Sequence, residues 1–149
     1  MLIWSLSSLT GLDASSLYDV VTLRERVFIV EQNCAYLDCD GRDRVALHLL
    51  GRTEDGTLVA YARLLPPGAR FAEASIGRVV TAPEVRRTGL GRPLMREAIA
   101  RAQNAYGGPL RISAQRYVER FYEELGFVPC GEPYDEDGIS HIDMLLPAA

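Results

Sequence analysis

Short apolar runs and helix-like repeats alternate along the chain, and together they predict a sheet with three helices. Strands are expected where apolar runs lie between turn residues such as Asp55-Gly56. The predicted strands cover residues 2–8, 45–52, 58–65, 75–81, 110–114, 127–130 and 139–146. The first predicted helix begins at a cap formed by Asp13 or Ser15 and runs beyond residue 28. The other two cover residues 89–106 and 117–125. This order of elements indicates an α/β arrangement, a mixed sheet with helices packed on it.

The first predicted helix carries a charged residue on its apolar face. That face is formed at helical spacing by Leu17, Val20, Val21, Val27 and Phe28. Arg24 lies on the same face, seven residues after Leu17. An arginine on an apolar face needs a carboxylate partner or an open cavity. Arg24 is therefore either part of a structural ion pair or a contact to a substrate, and the polar residues 32–44 beyond the helix are predicted to form a loop.

The segment from Val79 to Arg92 leads from a strand into a helix through a turn that contains Gly89 and Gly91. Glycines let backbone N–H groups come close to a ligand, and free N–H groups at the start of a helix attract anions. Three arginines add charge suited to phosphate oxygens, namely Arg86, Arg87 and Arg92. We therefore predict a phosphate-binding loop, with a plain strand-to-helix turn as the alternative.

Two other phosphate-binding motifs do not match this loop. A nucleotide P-loop ends in Gly-Lys-Ser or Gly-Lys-Thr, whereas this chain has Gly91-Arg92-Pro93. A dinucleotide fingerprint requires a third glycine and an acidic residue about 20 positions further on, and neither lines up here.

The composition is that of an ordinary globular domain, and it argues against several classes of protein. With 149 residues, 48% hydrophobic and 24% charged, the chain is expected to form one domain over residues 1–149. A net charge of −4 argues against nucleic-acid binding. No run approaches the roughly 20 apolar residues of a membrane span, and Cys34, Cys39 and Cys130 lack the spacing of a metal site. We therefore expect a cytoplasmic protein with free thiols, no metal and no membrane or nucleic-acid partner.

Two motifs in the second half of the chain match one enzyme family. Arg86-x-x-Gly89-x-Gly91 follows a strand, and Phe121-Tyr122-Glu123-Glu124-Leu125-Gly126-Phe127 comes one helix and one strand later. In order and separation they resemble the motifs of the GNAT acetyltransferases. The resemblance extends to the ElaA-type subfamily over nearly the whole chain, through Leu23-Arg24-x-x-Val27-Phe28-Ile29-Val30-Glu31-Gln32, Tyr61-Ala62-Arg63, Ile76-Gly77-Arg78-Val79 and Asp137-Gly138-Ile139-Ser140-His141-Ile142. Ser140 departs from the proline common in that subfamily, while His141 keeps its place.

This resemblance implies a GNAT fold, a mixed and mostly antiparallel sheet of about seven strands with helices on both faces. It also implies an acetyl-CoA-dependent N-acetyltransferase that moves an acetyl group to a primary amine of a small molecule or peptide by direct attack on the thioester. The alternative is a non-catalytic acyl-CoA-binding sensor or interaction domain. The chain is expected to act as a monomer or a homodimer.

The resemblance assigns the acetyl-CoA site to particular residues. The main chain of Val79, Val80 and Thr81 is expected to hold the pantetheine arm and to polarise the acetyl carbonyl. The diphosphate is expected on the loop formed by Arg86, Arg87, Thr88, Gly89, Leu90, Gly91 and Arg92. Gln115 occupies the position of an asparagine that contacts acetyl-CoA in relatives. Tyr122 is the candidate general acid, because a phenol can protonate a leaving thiolate; simple packing beside Val118 and Leu125 is its alternative.

The acceptor side of the site is less sharply defined by the sequence. Glu31, His48 and His141 are the candidate general bases, with His141 and Glu31 preferred, because a histidine or carboxylate can accept a proton from an ammonium group. Arg24, Arg63 and Arg78 are candidate contacts to an acidic substrate. For Arg63 and Arg78, a structural ion pair, for example with Glu31, is the alternative.

Overall fold

The computed structural model describes all residues from Met1 to Ala149 and contains one eight-stranded sheet. The strands are β1 (Ile3–Ser8), β2 (Leu47–Arg52), β3 (Leu58–Leu65), β4 (Ala74–Thr81), β5 (Leu110–Gln115), β6 (Val128–Pro129), β7 (Tyr134–Glu136) and β8 (Ile139–Leu146). The α-helices are α1 (Ala14–Arg24), α2 (Gly91–Tyr106) and α3 (Glu119–Glu124). The strand order is β1-β2-β3-β4-β5-β8-β6, with β7 paired to β8, and only β4 and β5 run parallel. The predicted mixed, mostly antiparallel sheet is confirmed.

Helices cover both faces of the sheet, as predicted. Strand β3 is buried along its whole length, and its successive side chains point to opposite faces. Ala60, Ala62 and Leu64 belong to a core that includes Leu94, Met95, Ala98 and Ala102 of α2. Val59 and Tyr61 belong to a second core that includes Val20 and Leu23 of α1. We refer to these as the α2 face and the α1 face of the sheet.

The first helix differs from its prediction in length and type. Asp13 caps α1 by accepting a hydrogen bond from the Ser16 amide at 2.7 Å, but the α-helix ends at Arg24 and continues as a π-helix over Glu25–Glu31, which we call the π segment. A single α-helix running past Phe28 is therefore wrong. A π-helix has a wider turn than the 3.6-residue repeat used in the prediction, and it often marks a functional site.

The remaining differences concern short elements. Helix α2 begins at Gly91 rather than near residue 89, and α3 is shorter than residues 117–125 because a 3₁₀ turn, Arg116–Val118, precedes it. Strand β7 was not predicted, so the sheet has eight strands instead of about seven. None of the helices combines the length and apolar character needed to cross a membrane.

The sheet opens in its centre, between β4 and β5. These strands pair only at Ala74 with Leu110 and at Ser75 with Arg111, and then separate. The pairing of β3 with β4 shifts between Tyr61 and Arg63, which places a bulge around Arg78 in β4. Arg78 has a φ of 50°, a left-handed conformation uncommon outside glycine. Because a bulge bends its strand, it contributes to the separation of β4 from β5.

Candidate active site

A cavity of about 1000 Å³ occupies the opening between β4 and β5. One part of its wall is the second half of β4, from Ile76 to Thr81. Phe121 and Tyr122 of α3, which pack against the core of the α2 face, line it on one side, and Val27 and Phe28 of the π segment, which belong to the core of the α1 face, line it on the other. Residues of the loop 32–44 and of the β7–β8 hairpin complete the wall. The cavity thus joins the two faces of the sheet, so that two molecules can meet in it from opposite sides.

The predicted phosphate loop has the backbone geometry of an anion site. The amides from Arg87 to Arg92 donate to no backbone acceptor, and Leu90 at the start of α2 provides no side-chain cap. Arg87 and Gly89 have φ values of 65° and 81°, so the left-handed conformation recurs within the loop. When left-handed residues follow right-handed ones, successive backbone amides form a concave nest that can bind an anion. The open space beside the Gly89 Cα leaves room for one. These features fit the diphosphate of acetyl-CoA.

Most of the loop arginines are paired with carboxylates of the chain. Arg86 forms a two-pronged ion pair with Glu31 of the π segment, and Arg92 lies 2.7 Å from Glu124. The hydrogen bonds from Arg86 lower the pKa of Glu31. A carboxylate with a lowered pKa is a weaker base, so this pairing disfavours Glu31 as the group that removes a proton.

Tyr122 lies in the cavity wall, and its hydroxyl is not among the tyrosine hydroxyls that bond within the chain, which are those of Tyr36, Tyr61, Tyr106 and Tyr134. The Tyr122 ring makes edge-to-face contacts with Phe121 and Phe127, at centroid distances of 5.2 and 6.0 Å. Burial, with a smaller contribution from Tyr117, raises the pKa of Tyr122 to about 12. The phenol is therefore protonated at neutral pH and has a proton to donate.

His141 lines the cavity from β8, and its ring is held on two sides. Its Nδ1 lies 2.7 Å from the Ile139 carbonyl oxygen, and the ring stacks on that of Tyr134 with 6.0 Å between the two centroids. The Tyr134 hydroxyl is fixed in turn by donating to Asp143 at 2.6 Å. Because a carbonyl only accepts, we assign a proton to Nδ1, so that the neutral form of the ring has its lone pair on Nε2. Nε2 lies 3.6 Å from a carboxylate oxygen of Glu136.

Arg24 and His48 are buried and do not line the cavity, which corrects the prediction of both on the acceptor side, Arg24 as a substrate contact and His48 as a candidate base. Arg24 donates to Asp38 and Asp43, each at 2.7 Å. His48 bonds the Asp43 carbonyl at 3.0 Å through Nε2 and the Tyr61 hydroxyl at 2.7 Å through Nδ1. Burial lowers the pKa of His48, which favours the neutral ring. Both side chains use their polar groups to hold the loop 32–44, which is a structural role.

Arg63 and Arg78 do line the cavity, and both also hold carboxylates of the loop 32–44. Arg63 donates to Asp40 at 2.8 and 2.9 Å and to Asp43 at 3.1 Å. Arg78 donates to Asp38 at 2.8 Å. Burial alone would raise the pKa of Asp40, but the hydrogen bonds and charge of Arg63 hold it well below its usual value. The loop is thus fixed to the sheet by charge rather than by apolar packing.

This ion-pair arrangement predicts a dependence of stability on pH. Because the pKa values of Asp40 and Asp43 are lowered by folding, the unfolded chain takes up protons first on acidification. The contribution of these carboxylates is complete above their unfolded pKa of about 3.9 and is lost as the pH falls towards the folded values. Asp40→Asn should lower the free energy of unfolding at pH 7 by about 3 kcal/mol and flatten its decline in acid.

Denaturant unfolding at a series of pH values measures both effects. Asp135→Asn is the matched control, because Asp135 is exposed and forms no ion pair. An Asp40→Asn protein with the stability and the pH profile of the parent would contradict the role of the network.

The cavity brings together most of the predicted site residues. Those on its wall are Glu31, Arg63, Arg78, Val79, Val80, Thr81, Arg86, Gln115, Tyr122 and His141. The amides of residues 87–92 lie in the adjoining loop. Five charged residues on the wall were not among the predicted site residues, namely Asp40, Arg42, Arg70, Glu136 and Asp137. The sequence offered one indication of such residues, because arginines at apolar positions need carboxylate partners elsewhere in the chain. No group of residues is arranged to hold a metal ion.

Comparisons with known proteins agree with this geometry. A family model described as an acetyltransferase (GNAT) domain matches residues 40–147. Protein ElaA of Escherichia coli is 38% identical over 147 residues, covering 97% of this chain and 95% of the relative. A UPF0039 protein of Synechocystis is 43% identical over 144 residues, covering 96% and 94%.

Two solved structures resemble this chain over nearly its full length. An acyl-CoA N-acyltransferase from Pseudomonas aeruginosa superposes with a TM-score of 0.92 at 39% identity, covering 98% of this chain and 99% of the other. The crystal structure of Escherichia coli ElaA gives a TM-score of 0.90 at 37% identity with the same coverage. With its family match, its full-length relatives and its opened sheet, this chain belongs to the GNAT acetyltransferase family and is a relative of ElaA.

Proposed function

We propose that the protein transfers an acetyl group from acetyl-CoA to a primary amine. One observation carries the proposal: a phenol with no hydrogen bond to the chain and an imidazole, those of Tyr122 and His141, line the same cavity beside an anion-binding loop. A protein that only senses acyl-CoA has no need of a proton donor and a proton acceptor in one cavity.

The loop and strand β4 divide the binding of acetyl-CoA between them. The amides from Arg87 to Arg92 hold the diphosphate, and the main chain of Val79, Val80 and Thr81, which is unpaired with β5, is available to the pantetheine arm and the acetyl carbonyl. When bound, acetyl-CoA supplies an acetyl group activated as a thioester. Gln115, the last residue of β5, also lines the cavity, and we assign it to the acetyl-CoA side of the site.

Proton transfers accompany the reaction. His141 Nε2 accepts a proton from the ammonium form of the acceptor, so that the nitrogen lone pair can attack the acetyl carbon. A carbon–nitrogen bond forms as the carbon–sulfur bond breaks, and Tyr122 donates its proton to the leaving sulfur. The nitrogen, positively charged after the attack, gives up its second proton to the Tyr122 phenolate through water, which yields the neutral amide and restores the phenol, and His141 releases the first proton to solvent. We assign Glu31 to binding of the ammonium group, because its carboxylate stays ionised beside Arg86.

The test is a thiol-release assay with acetyl-CoA and a panel of amines, polyamines, amino acids, antibiotics and peptides. Release of CoA thiol that requires an amine is expected. Binding of acetyl-CoA without release from any member of the panel would favour the sensor instead.

A histidine substitution tests the proposed base. We expect His141→Gln to lower kcat by about a hundredfold and to remove the limb of the pH profile that reports the base, with acetyl-CoA affinity within a few-fold of the parent. His48→Gln is the control, because His48 is the other histidine and lies outside the cavity; it should lower stability more than turnover. Normal turnover by His141→Gln at every pH, with an amine for which chemistry limits the rate, would remove His141 from the mechanism.

A further inference from the structure

The loop 32–44 and the sheet share a network of charged side chains, which we call the arginine–aspartate network. Salt bridges of 2.7–3.6 Å connect all its members, which are Arg24, Arg42, Arg63, Arg78, Asp38, Asp40 and Asp43. Four guanidinium groups thus face three carboxylates. One positive charge is left without a counter-charge in a region where charges are normally paired.

The excess charge is most accessible at Arg42. Its side chain is 42% exposed and lines the cavity, whereas that of Arg63 is 1% exposed. Arg42 makes only long contacts, from Nε to the Ala69 carbonyl at 3.2 Å and from Nη1 to Asp40 at 3.3 Å. Its Nη2 has no acceptor within the chain. The outer edge of this guanidinium group is therefore free to bind an anion.

A second observation points to the same part of the cavity. Arg63 Nε is buried and has no hydrogen-bond acceptor, although Arg63 belongs to the cavity wall. Buried donors are nearly always paired, so an orphaned one calls for a partner. Arg70, on the same wall, reaches Glu136 only at 3.4 Å and packs over the Phe71 ring at 4.8 Å. This wall therefore offers more donors than the chain itself satisfies.

We propose that the acceptor is an amine that also carries a carboxylate, and that Arg42 binds this carboxylate. The proposal rests on the proposed function and names its substrate class. A carboxylate carries a single negative charge, which matches the single unbalanced charge of the network, and a guanidinium group binds it through two parallel hydrogen bonds. A phosphate monoester carries more charge than the network lacks. Binding at Arg42 leaves the amine end of the molecule to reach His141.

The experiment compares amino acids of increasing chain length between amine and carboxylate, each with the primary amide that lacks its charge. Both kcat/KM and calorimetric binding to the CoA-loaded protein are measured. We expect at least one acid to be preferred over its amide by about tenfold to a hundredfold, the range of a charge-assisted hydrogen bond. In Arg42→Gln the ratio of kcat/KM for the acid to that for its amide should fall to about one, and Arg42→Lys should restore part of the preference.

Arg44→Gln is the matched control, since Arg44 lies with Arg42 in a 3₁₀ turn, Arg42–Arg44, but is exposed and does not line the cavity. It should keep the preference for the acid. Turnover of amines with no preference for any acid, or a preference that survives in Arg42→Gln, overturns the proposal and leaves the transferase intact. Arg42-dependent binding of an acid without turnover supports the anion site and refutes the transferase. Absence of both binding and turnover with every acid overturns the proposal.

Discussion

Replacing Tyr122 by phenylalanine is expected to lower kcat by about a hundredfold and to leave acetyl-CoA affinity nearly unchanged. The substitution removes the proton that we assign to the leaving thiolate, and general acid catalysis contributes on this scale. It keeps the ring and its contacts with Phe121 and Phe127. Since the tyrosine hydroxyls that bond within the chain are those of other tyrosines, the free energy of unfolding should change little.

Tyr117→Phe is the control for this experiment. Tyr117 also lines the cavity, but its side chain is largely exposed, so loss of its hydroxyl should have a small effect. Steady-state kinetics and calorimetry with acetyl-CoA separate turnover from binding. Equal turnover by Tyr122→Phe and the parent, where chemistry limits the rate, would exclude Tyr122 as the acid.

The second large effect is expected at the phosphate loop. Acetyl-CoA should raise the melting temperature of the parent, because a ligand that binds only the folded state stabilises it. In Gly89→Val this shift should disappear. The affinity for acetyl-CoA should fall at least about a hundredfold, because charge-assisted hydrogen bonds from the loop amides to the diphosphate are lost. Gly89 has a φ of 81°, which a β-branched residue resists, and a side chain there would enter the space assigned to the diphosphate.

Gly56→Val separates backbone strain from loss of the site. Gly56 has a φ of 90°, open space around its Cα and a position in the β2–β3 turn outside the cavity. Its replacement should destabilise the fold to a similar degree while the shift with acetyl-CoA remains. A folded Gly89→Val protein that binds acetyl-CoA as tightly as the parent would show that the diphosphate lies elsewhere.

The sequence predicted the parts of the protein whose causes are local. The strand, glycine turn and helix around Gly89 follow from backbone preferences of consecutive residues, and the structure has them nearly in place. Leu94, Ala98 and Ala102, which are spaced four residues apart along α2, are all buried, and such spacing is visible in the sequence. The two family motifs added the expectation of a mixed, mostly antiparallel sheet, whereas the order of the strands and the identity of the parallel pair β4 and β5 come from the structure alone.

Features that depend on distant partners were not predictable in this way. Residues 32–44 have no periodicity, so nothing local indicated that Asp38, Asp40 and Asp43 meet arginines from α1, β3 and β4. The same network decides the role of Arg24, for which the sequence left two alternatives. The pairing of Arg86 with Glu31 likewise joins residues 55 positions apart.

The π segment illustrates a different limit. Its apolar residues fit a helix of 3.6 residues per turn well enough to hide the change after Arg24, and only the hydrogen bonds distinguish the two helix types. The change matters for the site, because Glu31 at its end and Val27 within it both reach the cavity.

Transfer of labelled acetyl groups tests the central claim most directly. The protein is incubated with isotopically labelled acetyl-CoA and the best amine from the thiol-release panel, and mass spectrometry follows the label in the amine and in the protein. We expect one labelled N-acetyl amine for each CoA thiol released, and no label on the protein when the amine is omitted. Binding of acetyl-CoA with no labelled product from any amine would contradict the transferase, and label on Cys34 in the cavity wall would contradict direct attack.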